Sequence, residues 1–233
     1  MNIPQNPRAE IQQLIQQGDL EGLLVEAGEL HGHFCPYLAL GVKAAYTALK
    51  RLGIEQSTGM EEIVAIVETN NCFSDGIQMV TGCTFANNAL IYHDLGKTAV
   101  TVARRDGAGI RIVLKDEWRD AFNTRHPEAY ALFKKIVVDR EEATPAEQER
   151  LMQVWTESSF DQLGLPEEEI FDVKPVEIEV PPFAPIFASV RCSICGESLM
   201  ETRARVKDGK PVCITCAGAE HYVLDGSGIS IRR

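Results

Sequence analysis

The sequence predicts an α+β fold with a small module appended at its C-terminal end. Three observations carry this. Helix-period segments surround one continuous β-branched run and three short strand-like runs. A Pro-rich stretch at 181–185 coincides with a change in charge. Two Cys-x-x-Cys pairs lie downstream of it.

Residues 8–32 read as one or two helices interrupted at Gly18-Asp19, with Leu20, Leu23, Leu24, Ala27 and Leu30 forming an apolar stripe. A further helix runs from Pro36, favoured in a first helical turn, to Arg51, closed by Gly53. Ile63–Val67 is apolar throughout and rich in β-branched residues, which predicts a buried strand. A helix follows from Cys72 to Thr81 and stops at Gly82. Strands are expected at Ala89–His93, Thr98–Arg104 and Gly109–Leu114, with Leu95-Gly96-Lys97 and Asp106–Gly109 as hairpin turns. The order α-β-α-β-β-β makes a layer of helices on one sheet. Asp116–Val138 and Pro145–Leu163 read as helical additions, the second opened by a Thr144/Glu147 capping box. Phe171–Val180 alternates apolar and polar residues, as an edge strand does.

The chain has 233 residues, 45% of them hydrophobic, and a formal charge of −11. Residues 186–233 carry seven Lys/Arg against five acids, about +2, which leaves about −13 upstream. We therefore expect a core domain over 1–180, a stiff linker over 181–187 and a separate module over 188–233. The acidity makes nucleic acid an unfavoured partner. No segment is long and apolar enough to span a bilayer, and residues 1–19 lack a signal-like apolar region, so a cytoplasmic location is expected. Seven cysteines, two pairs of them at Cys-x-x-Cys spacing, favour metal or redox use over a disulfide framework.

Cys192, Cys195, Cys213 and Cys216 form two knuckles separated by seventeen residues, the spacing of a four-thiolate zinc site. So small a module has little core, and the metal becomes part of its stability. Protein contact ranks ahead of nucleic acid as its use, because it has no aromatic and basic cluster.

A second constellation lies upstream. His31, His33 and Cys35 fall within five residues just before a helix, and Cys72 opens another. Free N–H groups at a helix start favour a thiolate, and a thiolate beside imidazoles is a soft-metal site or a nucleophile. Asp75, one turn after Cys72, faces the same side and can orient a ligand or move a proton, or simply satisfy the helix dipole. Cys83, eleven residues beyond Cys72, is too far along a helix to share a mononuclear site; it is expected in the core, or else in a site across a dimer interface.

HGHFCPYLALGVKAA at 31–45 and ETNNCFSDGIQMVTGCTFANNALIYHDLGK at 68–97 resemble the FmdE family, named for a subunit of formylmethanofuran dehydrogenase. The similarity covers about residues 20–140, and the four-cysteine module looks like a treble-clef finger of the DksA/TraR type. The resemblance implies a core akin to the catalytic domain of glyceraldehyde phosphate dehydrogenases. It also implies that His31, His33, Cys35, Cys72, Asp75 and Cys83 hold the family's marked positions, with Asp94 and Lys97 in the hairpin. Tyr37 and Asn87-Asn88 depart from the glycines usual there.

Two main functions follow as expectations. In the first, His31, His33, Cys35 and Cys72 hold a second transition metal (zinc, iron or nickel) beside the structural zinc. The protein would be a homodimer assisting a molybdenum- or tungsten-type oxidoreductase or handling its metal. The alternative is a thiol enzyme in which Cys35 or Cys72 attacks, a histidine is the base, Asp75 assists and Lys97 binds an anionic group. A third expectation is a regulator that uses its ribbon on polymerase or nucleic acid.

Overall fold

The computed structural model describes residues 5–233, which divide into two compact units, the first ending at Pro181 and the second running over Pro182–Arg233. The first unit begins with α1 (Ala9–Gln17), α2 (Leu20–His31) and α3 (Pro36–Leu52). Each ends on a glycine in the left-handed region, Gly18, Gly32 and Gly53, the usual helix stop. Then come β1 (Ile63–Val67), α4 (Phe73–Thr81), β2 (Leu90–Tyr92), β3 (Ala99–Arg104) and β4 (Ala108–Leu114). The order α-β-α-β-β-β is observed.

The sheet adds β5 (Phe171–Glu177) at one edge and runs β2-β1-β3-β4-β5. This corrects one expectation: Leu95-Gly96-Lys97 is not a hairpin turn. β2 pairs in parallel with β1 (Ala65↔Leu90), and β3 lies on the other side of β1 in antiparallel register (Ala65↔Val102). The β2–β3 connection therefore crosses over the end of β1, and Lys97 N–H donates to Glu68 O at 3.0 Å. The turn at 106–109 is a hairpin as expected, with Ala103 opposite Gly109. Ile63, Ala65, Val67, Val100, Val102, Ile110 and Ile112 join the helices in one core.

The segment 116–138 is not one helix. It forms α5 (Glu117–Arg125), α6 (Pro127–Phe133) and a π-helical turn at Lys134–Val138. Pro127 explains the break, since it removes a helical donor and pushes His126 out of the α region (φ −124°, ψ 61°). Next is α7 (Pro145–Gly164), opened by the reciprocal Thr144/Glu147 cap, and the short α8 (Glu167–Ile170). The C-terminal carbonyls of α7 meet an unusual partner. The Lys43 ammonium, 6% exposed, donates to Leu163 O at 2.9 Å and also to Leu165 O. Burial pulls its pKa down.

The feature that positions the site is the crossing of α3 and α4. A Cβ on Gly41 would sit 2.1 Å from Phe73 O, and one on Gly76 2.5 Å from Val42 N. Only glycine fits on both sides of this contact. The two backbones touch there, which brings the start of α3 beside the start of α4.

The second unit contains β6 (Ser189–Arg191), β7 (Ser198–Met200), β8 (Arg205–Lys207), β9 (Lys210–Val212), α9 (Ile214–Ala217), β10 (His221–Asp225) and β11 (Gly228–Arg232). β6–β7, β8–β9 and β10–β11 are three antiparallel two-stranded ribbons. No helix of the described residues is long and apolar enough to cross a membrane.

Candidate metal centres

In the second unit the Sγ atoms of Cys192, Cys195, Cys213 and Cys216 lie within 4.8 Å of one another. Backbone donors of the second knuckle aim at sulfur: Cys213 N–H at Cys192 Sγ and Cys216 N–H at Cys213 Sγ, both 3.3 Å. Backbone N–H groups, those of Cys195 and then Cys213 foremost, hold the Cys192 thiol down to about 6. Cys216, which keeps its proton for a hydrogen bond to Cys213, is pushed up to about 12. Four converging sulfurs, two of them already accepting from backbone N–H groups, fit a tetrahedral zinc.

The core site is built at the ends of three helices. His31 is the last residue of α2, and Gly32 at φ 85° reverses the chain so that His33 returns beside it, the ring centroids 4.5 Å apart. Cys35 is the N-cap of α3, its sulfur accepting from Leu38 N–H at 3.4 Å. The candidate donor atoms of His31, His33 and Cys35 lie within 4.8 Å of one another. Cys72, brought in by the glycine crossing, lies outside this group of three but is near enough to both Cys35 and His31 to shift with them electrostatically. The loop before it is held on both sides. Glu68 makes a two-pronged ion pair with Arg111, both N···O contacts 2.9 Å, and Ser74 Oγ donates to Thr69 O at 2.7 Å.

The imidazole of His31 is oriented from behind. Its Nδ1 lies 2.7 Å from Asp75 Oδ2, while Nε2 lies 3.8 Å from Cys35 Sγ. Gln78 Nε2 in turn donates to Asp75 Oδ1 at 2.9 Å. A carboxylate on Nδ1 sets the tautomer in which Nε2 carries the free lone pair and points at the thiols. His33 is more exposed; burial, and then His31, lowers its pKa and keeps it neutral.

The two thiols do not share the properties expected for helix-start cysteines. Cys35 is buried and donates its hydrogen to Cys72, and both effects raise its pKa far more than its helix-start N–H groups lower it. Cys72 makes no capping bond with its side chain. It accepts from Cys35 and sits beside His31, and these hold it down to about 6 against the cost of burial. The ready thiolate is thus Cys72, and the helix N-terminus is not the deciding cause.

Other candidates fall elsewhere. Cys83 is 1% exposed at the opposite end of α4, its thiol aimed at Ile63 O and pushed up to about 11 by burial. Asp94 is exposed and accepts from Tyr92 Oη at 2.7 Å. Lys97 lines a cavity with Tyr37 and Arg119. The Asn87 amide donates to Gly82 O at 2.7 Å and its carbonyl accepts from Thr84 N–H at 2.9 Å, a turn scaffold with no role in the cluster. Motif and spacing alone do not single out Gly41, Gly76, Gln78 or the Glu68–Arg111 pair. The two helical glycines, costly there without a packing reason, are the available signal.

Comparison with known proteins agrees with this organisation. Residues 30–172 match the family described as "FmdE, Molybdenum formylmethanofuran dehydrogenase operon", and residues 185–222 match "Prokaryotic dksA/traR C4-type zinc finger". A protein of Archaeoglobus fulgidus described as "Probable S-adenosyl-L-methionine-binding protein" is 45% identical over 218 residues, 91% of this chain and 57% of its own length. The chain thus spans little more than half of that relative. The crystal structure of a tungsten formylmethanofuran dehydrogenase FmdE-like protein from Syntrophus aciditrophicus shares the fold. Its TM-score is 0.55 at 21% identity, over 85% of this chain and 92% of that one. The FmdE match takes in well over half of the sequence, and with it the whole His31–Cys72 cluster: the chain belongs to the FmdE family and carries a C4-type zinc finger of the dksA/traR kind.

Proposed function

We propose that the core binds one transition-metal ion through His31, His33, Cys35 and Cys72, in addition to zinc in the finger. The protein then serves, as a homodimer, to assist a molybdenum- or tungsten-type oxidoreductase such as formylmethanofuran dehydrogenase, or to handle its metal or cofactor. The observation that carries the metal reading is the convergence of three donors within 4.8 Å, one of them backed by Asp75 at 2.7 Å. A carboxylate behind a ligating imidazole raises its basicity and fixes its direction. Two imidazoles and two thiols suit zinc, iron or nickel. The ion, when bound, supplies Lewis-acid or redox chemistry. The chain's own part is to hold His31 in one tautomer through Asp75 and Gln78, to keep His33 neutral, and to present Cys72 as thiolate. The oxidoreductase partner rests on the family's description.

The test is metal analysis of protein purified without chelator, followed by co-purification with a molybdenum or tungsten oxidoreductase and light scattering. Two equivalents per chain, falling to one in Cys35→Ser, support the metal reading. One equivalent in both overturns it. A monomer at micromolar concentration removes the dimer.

A second reading is favoured by one specific observation. Cys72, His31 and Asp75 stand in the order nucleophile, base and orienting carboxylate. In that thiol-enzyme reading the metal content is one equivalent, and Cys72 reacts rapidly and stoichiometrically with an alkylating agent.

A further inference from the structure

Away from the thiols and imidazoles, two cavities of the first unit share a wall. One, of about 500 Å³, is lined by Lys97, Lys115 and Arg119 together with the carboxylates of Asp116 and Asp120. The other, of about 420 Å³, is mainly apolar and is lined by Phe122, Tyr130, Phe133 and Trp155. Tyr37, Trp118 and Arg119 line both, so the two are halves of one groove.

The apolar half is an aromatic surface left partly uncovered. Tyr37 meets Trp118 edge-on at 5.3 Å, and Phe133 stacks on Trp155 at 4.6 Å, yet Tyr130 remains 41% exposed and Val138 59%. Lys134 and Val138 on its rim belong to the π-helical turn, a rare distortion that recurs at functional sites.

The charged half carries three cations against two carboxylates, a local excess of one positive charge in a chain of formal charge −11. Arg119 donates to Tyr37 Oη at 3.3 Å and Lys115 donates to Glu168 O, so both spend hydrogen bonds on neutral oxygens. Lys97 is exposed and has no carboxylate partner among the described residues.

We propose that this groove binds a small molecule made of a planar aromatic ring system and one anionic group, a carboxylate or a phosphate. The ring lies in the aromatic half and the anion meets Lys97 and Arg119. Aromatic faces give a ring both burial and directional contact, and a cation in a recess with low-dielectric walls attracts an anion more strongly than one on open surface. The groove uses none of the metal-donor residues. Pro36 and Tyr37 follow Cys35 directly in the chain, so a ligand there comes close to the cluster, yet the inference stands whether or not a metal is bound.

The chain has two tryptophans, Trp118 and Trp155, and both line this groove, so tryptophan fluorescence excited apart from tyrosine reports on it. The full chain is titrated with 2-naphthoate, with 4-phenylbenzoate, with the uncharged 2-naphthamide and with acetate, with calorimetry in parallel. Saturable quenching at one site per chain is expected for at least one aromatic carboxylate, about tenfold weaker binding for the amide, and none for acetate. Lys97→Gln should weaken carboxylate binding by about threefold to tenfold, leave the amide unchanged, and leave metal content and circular dichroism as in the wild type. Tyr130→Ala should weaken carboxylate and amide alike. Retained binding in Cys35→Ser keeps the groove assignment even if the metal reading fails. Absence of saturable quenching by both carboxylates, or equal affinity for carboxylate and amide with no effect of Lys97→Gln, overturns it.

Discussion

The finger and the core cluster hold the same kinds of atoms in opposite ways. In the finger, all four sulfurs lie within residues 192–216, and N–H···S bonds run within the second knuckle and from it to the first. In the core, His31, His33 and Cys35 converge within five residues, and only Cys72 comes from far along the chain, brought near where two helices touch through Gly41 and Gly76. The finger's short ribbons surround few buried side chains, chiefly Cys192 and Val212, whereas the core cluster sits on an apolar interior that includes Leu38, Phe73 and Ile77. On the proposed reading a metal would therefore be part of the fold in one place and a guest on a finished scaffold in the other. The difference makes metal loss a folding event in the finger and a binding event in the core.

The largest expected effect breaks the finger. Structural zinc contributes about 10–16 kcal/mol of apparent binding free energy in modules of this kind. Cys195→Ser or Cys216→Ser is expected to unfold the region beyond Pro182 and remove one zinc equivalent. Limited proteolysis and metal analysis read this, with unchanged melting of the first unit as the control. Survival of the finger in both variants would show that it folds without the ion.

Next in size is the helix crossing. Gly76→Ala places a Cβ 2.5 Å from one backbone atom and 2.6 Å from another, Leu38 O. Overpacking of this kind costs about 1–3 kcal/mol. The same change parts Cys35 from Cys72, so the core metal is expected to fall while the finger zinc stays. Denaturant unfolding combined with metal analysis checks both, and a parallel loss of the two metals would contradict the division drawn above.

A smaller change acts only on binding. Asp75→Asn keeps the shape but weakens the hold on the His31 Nδ1–H, and loss of such a carboxylate typically lowers metal affinity about 10- to 100-fold. Competition with a chelator of known strength measures it. Thermal stability should move little, because Asp75 is partly exposed.

The finest distinction is one of pH. In metal-free protein Cys72 is held down to about 6, below an unperturbed thiol, by the hydrogen bond from Cys35 and by His31. A depressed pKa means thiolate above that value and thiol below it. Alkylation of Cys72 is therefore expected to be fast at pH 7 and to fall away as the pH drops through about 6. Cys83, buried and pushed up to about 11, should stay unlabelled in the native protein. Peptide mass mapping after timed labelling separates the two, and preferential labelling of Cys35 would reverse the assignment of the thiolate.

Local chemistry is legible in the residues themselves. Helix stops at Gly18, Gly53 and Gly82, the Thr144/Glu147 box and the strand at Ile63–Val67 depend on neighbours a few positions away, and each forms where its residues predict. The knuckle spacing is equally local. The hairpin expected at Leu95-Gly96-Lys97 does not form, because turn chemistry does not say which strand lies alongside; β2 and β3 flank β1 instead of each other. The single helix expected over 116–138 breaks at Pro127, whose effect on His126 outweighs the longer periodic run.

By itself the sequence determined most elements of the first unit, the C-terminal knuckles and the identity of the His and Cys candidates, because spacing along the chain controls caps, periodicity and short chelate loops. Only the tertiary structure decided which thiol is the more acidic, that Asp75 stands behind His31, and that Lys97 lines a cavity with Tyr37 and Trp118. Those properties arise from burial and from contacts between residues far apart in the chain, such as His31 with Asp75 and Cys35 with Cys72. Packing creates them, and a helix crossing that admits only glycine sets where the packing brings the chain together.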